Sequence, residues 1–379
     1  MIPYGRQSID EADVASVIEV LHSEWLTQGP GIALFEEAMA TYCHSKHAVA
    51  LSNATAALHV ACLALGVGKG DLVWTSPNTF VASANCARYC GADIDFVDID
   101  PVSLNMSVKA LSFKLEKAKQ LGRLPKVVIP VHFSGLSCEM VEIFALSKQY
   151  GFKIIEDASH AVGAEYNGYP VGSCKYSDIT VFSFHPVKII TTGEGGMALT
   201  NQIELADQMI RLRSHGIAQK PEHMVRAPQG AWEYQQIELG HNYRMTNLQA
   251  ALGLSQLKKL PEFIAKRRSI AKRYHELLAD LPVTRPVLSD ESSWHLYAVR
   301  FPVEKRKAVF DAFRKEDVWV QVHYIPVHTQ PYYANLGFEW GDFPESERYF
   351  KEAISLPLYF DLTDSEQDTV IAMLKEFLD

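Results

Sequence analysis

Phe182-Ser183-Phe184-His185-Pro186-Val187-Lys188-Ile189-Ile190-Thr191-Thr192-Gly193-Glu194-Gly195-Gly196 begins at the end of an apolar run and passes into a polar, glycine-rich turn that carries one lysine. The run, Ile179–Phe184, reads as a strand covered on both faces, since such strands are apolar at nearly every position. Similar runs lie at His47–Leu51, Leu72–Thr75, Ile94–Val97, Val127–Val131, Lys153–Glu156 and Gly196–Thr200. Helical stretches separate them; Ala56–Leu65, for example, stops at Gly66. This alternation predicts an α/β domain with a mostly parallel sheet. Ligands in such sheets collect beyond the carboxyl ends of the strands, so the polar residues after each run are the candidates.

Lys188 stands just past one of those ends. Burial there disfavours the ammonium form, and a neutral amine is what attacks an aldehyde to form a Schiff base. A lone lysine in a loop is ordinarily a surface residue, so the neighbouring strand matters. That strand ends in Ile154-Ile155-Glu156-Asp157-Ala158-Ser159-His160, which brings an acid to the same crevice. A pyridine cofactor requires a carboxylate against its ring nitrogen, because the protonated ring is the electron sink. Asp157 is placed to supply it; alone, it equally suits a helix N-cap. His160 is either a contact of the ring region or a satisfied polar residue. Ser52-Asn53-Ala54-Thr55-Ala56-Ala57-Leu58 runs from a strand into a helix of small residues. Free amides and the Thr55 hydroxyl make an anion site there, the alternative being an ordinary N-cap by Asn53 or Thr55. Ser183 offers a further hydroxyl to the same anion. Phe80 presents either an aromatic face for a planar ring or a core contact.

The 379-residue chain is long enough for two domains. With 47% apolar and 21% charged residues it can bury its own core, so neither a disulfide frame nor a structural metal is expected. A net charge of −9 argues against a nucleic-acid surface but leaves room for a local basic pocket. The six cysteines form no CxxC pair and sit mostly in apolar segments such as Ala61-Cys62-Leu63, as reduced buried thiols do. Met1-Ile2-Pro3-Tyr4-Gly5 has neither part of a signal peptide, and no run approaches the ~20 apolar residues of a membrane span. The expectation is a cytoplasmic protein with no membrane partner.

Beyond residue 200 the pattern changes. A helix is predicted over Asn247–Leu260, ended by Pro261, and a long charged helix over Glu262–Leu281. A strand (Trp294–Phe301), a helix (Lys305–Asp317), a strand (Val318–Tyr324) and a closing helix (Asp364–Leu378) follow. The expected division is a large α/β domain over residues 12–255 and a smaller α+β domain over residues 256–379 together with 1–11.

These features together resemble the DegT/DnrJ/StrS-type sugar aminotransferases. The likeness also covers Leu26-Thr27-Gln28-Gly29-Pro30, Gly240-His241-Asn242-Tyr243-Arg244-Met245-Thr246, Tyr324-Ile325-Pro326-Val327-His328 and Ser355-Leu356-Pro357-Leu358. The resemblance implies fold type I, the aspartate aminotransferase architecture, with a seven-stranded sheet, and pyridoxal 5′-phosphate (PLP) as cofactor. It implies that Lys188 links covalently to the cofactor, Asp157 pairs with the ring nitrogen and His160 contacts the ring region. Thr55 and Ser183, with Ala54, would hold the phosphate beside Phe80, and Asn242 would reach the phosphate of a partner subunit in a homodimer with shared active sites. Ser52-Asn53-Ala54-Thr55, Thr75-Ser76-Pro77-Asn78-Thr79-Phe80 and Phe184-His185-Pro186-Val187-Lys188 look like the pseudaminic acid branch. That branch aminates C4 of a UDP-linked 4-keto-6-deoxy N-acetylhexose with L-glutamate as donor. Tyr4, Glu24, Trp25, Leu26, Thr27, Ala54, Ser183, Asn242, His323, Tyr324, Ile325 and Pro326 match its substrate-pocket positions, with Arg244 and His328 beside them.

Other readings make different demands. Family members that act as dehydratases have a histidine where Lys188 stands, and a non-catalytic regulator would have lost Asp157 or the phosphate residues. The glycines of Thr192–Gly196 lack the GxxxxGK[ST] spacing of a nucleotide loop. An amino-acid transaminase would show a clear carboxylate-binding arginine motif; Arg244 suits either glutamate or a phosphate. Perosamine-, 4-amino-arabinose- and dTDP-amino-sugar-type substrates remain open.

Overall fold

The computed structural model describes residues 1–378. Its central sheet has seven strands: β1 (His47–Leu51), β2 (Leu72–Thr75), β3 (Asp93–Phe96), β4 (Val127–Ile129), β5 (Lys153–Asp157), β6 (Ile179–Ser183) and β7 (Gly196–Thr200). They lie in the order β1-β7-β6-β5-β4-β2-β3. Neighbours are parallel except at β7, which is antiparallel to β1 and β6. The expected runs are all present, three with the expected bounds and four with ends shifted by one or two residues. β4 stops at Ile129 because the chain leaves the ladder at Pro130, and Val131 retains only a single bridge to Asp157.

Alternate side chains of this sheet enter different cores, as the two-residue period of a strand requires. Ile155, Ile179 and Val181 pack on one face beneath helix α1 (Ala54–Ala64), with Leu58 and Ala61. Ile154 joins Trp74 and Val128 on the other face, and Phe182 joins Phe35 and Met39. α1 comes close because half of its buried residues are alanine. Gly196 is required at the contact, since a Cβ there would lie 2.5 Å from the Asn53 carbonyl.

A second core forms around β8 (Tyr297–Arg300) and β9 (Ala353–Leu356), an antiparallel pair. Ile2–Pro3 pairs in parallel with Val318–Trp319 beside it, and the closing helix Asp364–Leu378 covers it. The strand expected over Val318–Tyr324 is confined to Val318–Trp319; Gln321 keeps a single bridge to Ser355 of β9, and Gln321–Ile325 line a cavity.

The break expected at Pro261 does not occur. A single helix, α2, runs from Asn247 to Leu277 with Pro261 inside it. An interior proline costs about 3 kcal/mol, and packing outweighs that here. Pro261 lies on the exposed side, while Leu257, Leu260, Phe263 and Ile264 enter one core and Ile270, Ala271 and Tyr274 the other. No helix among the described residues is long and apolar enough to cross a membrane, and all six cysteines are free, five of them buried.

Candidate active site

The ends of β1, β2, β5 and β6 open on one cavity of about 1230 Å³. Tyr4, Ala54, Thr55, Phe80, Asp157, His160, Ser183, Lys188, Asn242, His323, Tyr324 and Ile325 all line it. β5 and β6 are parallel neighbours, with Asp157 opposite Val181, so Asp157 and the turn carrying Lys188 leave the sheet side by side.

Asp157 is buried and firmly held. Ser83 donates to its Oδ2 at 2.6 Å, and the Ser159 N–H donates to Oδ1 at 3.1 Å. Ser83 in turn shares a 2.7 Å hydrogen bond with Thr79. Lys188 is partly open to the cavity, yet desolvation lowers its ammonium to about 8 despite the attraction of Asp157. Three histidines surround it. His160, His295 and His323 are each pushed down, first by burial and then by the Lys188 charge, His323 to about 3. They are therefore neutral at ordinary pH and act as hydrogen-bonding groups rather than charges. His160 Nδ1 accepts from the Ser134 N–H at 3.3 Å, which leaves its Nε2 as the donor to the Tyr324 hydroxyl at 3.0 Å.

At the start of α1, the Asn53 side chain accepts from the Ala56 N–H at 2.8 Å and caps the helix. The N–H groups of a first turn have no partner within the helix, so those of Ala54 and Thr55 are available where these residues meet the cavity. Phe80 is 59% exposed, on the cavity wall rather than in the core. The donor set suits a phosphorylated pyridine aldehyde: an amine near neutrality, a fixed carboxylate, free amides with hydroxyls, and an exposed aromatic face.

Several positions singled out in the sequence do not reach this cavity. Glu24, Trp25, Leu26 and Thr27 form an exposed segment tied to the start of α2, where the Asn247 N–H donates to the Leu26 carbonyl and Thr27 bridges Thr246. Arg244 bridges Leu51, and Pro326 is buried. His328 is a core residue: it has no exposure, its Nε2 lies 3.0 Å from Glu347, and its ring packs on Phe343. A substrate contact for His328 is excluded by that burial. Ser83 and His295 were not singled out; a serine inside a helix and a histidine in an apolar segment give no pattern to read.

The DegT/DnrJ/EryC1/StrS aminotransferase family matches this chain over residues 7–375. The Bacillus subtilis spore coat polysaccharide biosynthesis protein SpsC is 38% identical over 386 residues, covering 100% of this chain and 97% of that protein. A UDP-4-amino-4,6-dideoxy-N-acetyl-beta-L-altrosamine transaminase of Campylobacter jejuni is also 38% identical, over 387 residues, covering 99% and 98%. The solved structure of Helicobacter pylori PseC, an aminotransferase involved in the biosynthesis of pseudoaminic acid, matches with a TM-score of 0.91 at 32% identity, covering 100% of this chain and 99% of that one.

Proposed function

Because the chain belongs to the DegT/DnrJ/EryC1/StrS family of PLP-dependent sugar aminotransferases, we propose that it transfers the amino group of L-glutamate to C4 of a UDP-linked 4-keto-6-deoxy-N-acetylhexosamine, in the cytoplasm. The observation that carries this reading is the desolvated Lys188 amine at the exit of β6, in one cavity with the Asp157 carboxylate at the exit of β5. The name of the Campylobacter relative supports the choice of sugar.

When bound, the cofactor supplies an aldehyde that carries the amino group and a ring that disperses negative charge at the reacting carbon. Asp157, fixed by Ser83 and Ser159, holds the proton on the ring nitrogen. Lys188 exchanges a proton readily near neutral pH, as an acid–base group must. Ala54, Thr55 and Ser183 would hold the phosphate, and Phe80 would offer its face to the ring. Tyr324 keeps its own proton free for the cavity, because its oxygen accepts from His160.

The assembly we propose is a homodimer with shared sites. Among the described residues, those lining the cavity include no arginine, although its ligands carry phosphates and carboxylates. Val225, Trp232 and Leu239 are 84%, 80% and 81% exposed on the segment leading to Asn242, which suits that segment to a partner. A second copy covering it would bring Asn242 to the neighbour's phosphate. Arg244 and Glu24–Thr27, outside their own cavity, would then serve the neighbour's substrate.

The test is turnover of UDP-, dTDP- and GDP-linked 4-keto sugars with glutamate, read as 2-oxoglutarate and amino sugar formed. A preference of about tenfold or more for the UDP-linked N-acetyl sugar is expected; a preference for another nucleotide would overturn the sugar assignment. A second reading, another nucleotide-linked keto sugar, draws on SpsC, a polysaccharide biosynthesis protein of the same identity as the Campylobacter relative.

A further inference from the structure

We propose that His295 is a positioning residue that orients the Lys188 amine. This rests on the reading of Lys188 as the reactive amine. His295 Nε2 lies 3.4 Å from Lys188 Nζ, while its Nδ1 is buried with no partner. Its backbone is pinned at both ends. The His295 N–H donates to the Ser134 carbonyl at 2.9 Å, and Arg267 of α2 donates to the Trp294 and His295 carbonyls at 3.1 and 3.4 Å. The ring lies 4.3 Å from the His160 ring, so its position is fixed by the backbone behind it and the imidazole beside it.

The direction of the hydrogen bond follows from chemistry. A neutral amine has one lone pair. If His295 donated to it, the nucleophile would be masked. If Nε2 accepts an N–H of Lys188, the lone pair is left to face the cavity. Nδ1 then carries the proton. Burial and the nearby Lys188, His160, Arg267 and His323 keep His295 uncharged, so one of its ring nitrogens carries no proton and can accept. The other groups facing the amine are Asp157, which favours its proton, and the neutral His160 and His323. Tyr324 bonds to His160 rather than to the amine.

Competitive acetylation tests this on the full-length protein, freed of any bound aldehyde by hydroxylamine. Acetic anhydride is applied across a pH series, and the Lys188 peptide is quantified by mass spectrometry. Losing the acceptor in His295→Leu removes a bond that favours the ammonium, so the labelling midpoint should fall by about half a pH unit or more. His295→Gln, which keeps an acceptor, should restore it. Above both midpoints, where the amine is neutral in either protein, added PLP should be captured by Lys188 about tenfold more slowly in His295→Leu, since an undirected lone pair is rarely aligned. Should the leucine variant not fold, His295→Met against His295→Gln gives the same contrast. Equal midpoints in folded variants with and without an acceptor would overturn the proposal. Because acetylation requires neither cofactor nor sugar, a wrong assignment of the reaction would appear as absent turnover with the midpoint shift intact.

Discussion

Ser83 donates a 2.6 Å hydrogen bond to Asp157 from 74 positions earlier in the chain. It belongs to the helix Ala82–Tyr89, on the segment that follows β2, so two strand exits fix one carboxylate. A hydrogen bond to a charged group contributes about 1.5–3 kcal/mol. Ser83→Ala should therefore lower kcat by about tenfold or more while PLP still binds. An unchanged kcat in a folded variant would show that Ser159 alone suffices.

Asp157→Asn should retain cofactor and lose most activity. A neutral amide cannot hold the ring nitrogen protonated, and a loss on the order of 3 kcal/mol corresponds to ~10²-fold. Turnover near that of the parent protein would remove Asp157 from its assigned role.

The protein with bound PLP should show a visible absorption band that borohydride abolishes while fixing the cofactor to the Lys188 peptide. Lys188→Arg keeps the charge but offers no amine for the link, so both band and turnover should vanish. Mapping of the reduced cofactor to another lysine would sink the assignment.

The lowered Lys188 ammonium sets a pH dependence. Its protonated form predominates below about 8 and the neutral form above. Uptake of PLP by the stripped protein should rise about tenfold per pH unit below that value and level off above it, as stopped-flow absorbance would record. An ordinary lysine would not level off until near 10.5.

Mixed dimers test the shared site. Lys188→Ala disables the site built on its own lysine; a disruptive Asn242 variant damages the neighbour's. Subunit exchange between the two should restore about half of the sites in each heterodimer, by two-fold symmetry. Heterodimers seen by mass measurement without recovered activity would place Asn242 in the service of its own chain, whose cavity it also lines.

The sheet and the Asp157–Lys188 pair were legible because buried parallel strands are long apolar runs and their exits are polar. Pro261 misled because local propensity gives no account of cores on both flanks of α2. His295 was invisible for a related reason: its partner is 107 positions away, and no spacing rule connects a lysine in a turn to a histidine before a strand of the other core. Glu24–Thr27 and Arg244 were singled out by likeness to relatives, and they lie outside the chain's own cavity.

The unbroken helix α2 limits how this protein can be divided. Cleavage between residues 255 and 256, a natural choice for expressing the halves separately, would sever the helix and leave Leu257, Leu260, Phe263 and Ile264 without the surface they cover. The upstream fragment would lose that apolar cover along with His295, which lies beside Lys188, and the cavity residues His323 and Tyr324. Aggregation is the expected fate of such a fragment. Reporter insertions and affinity tags belong instead in exposed loops, such as the stretch around Gly341.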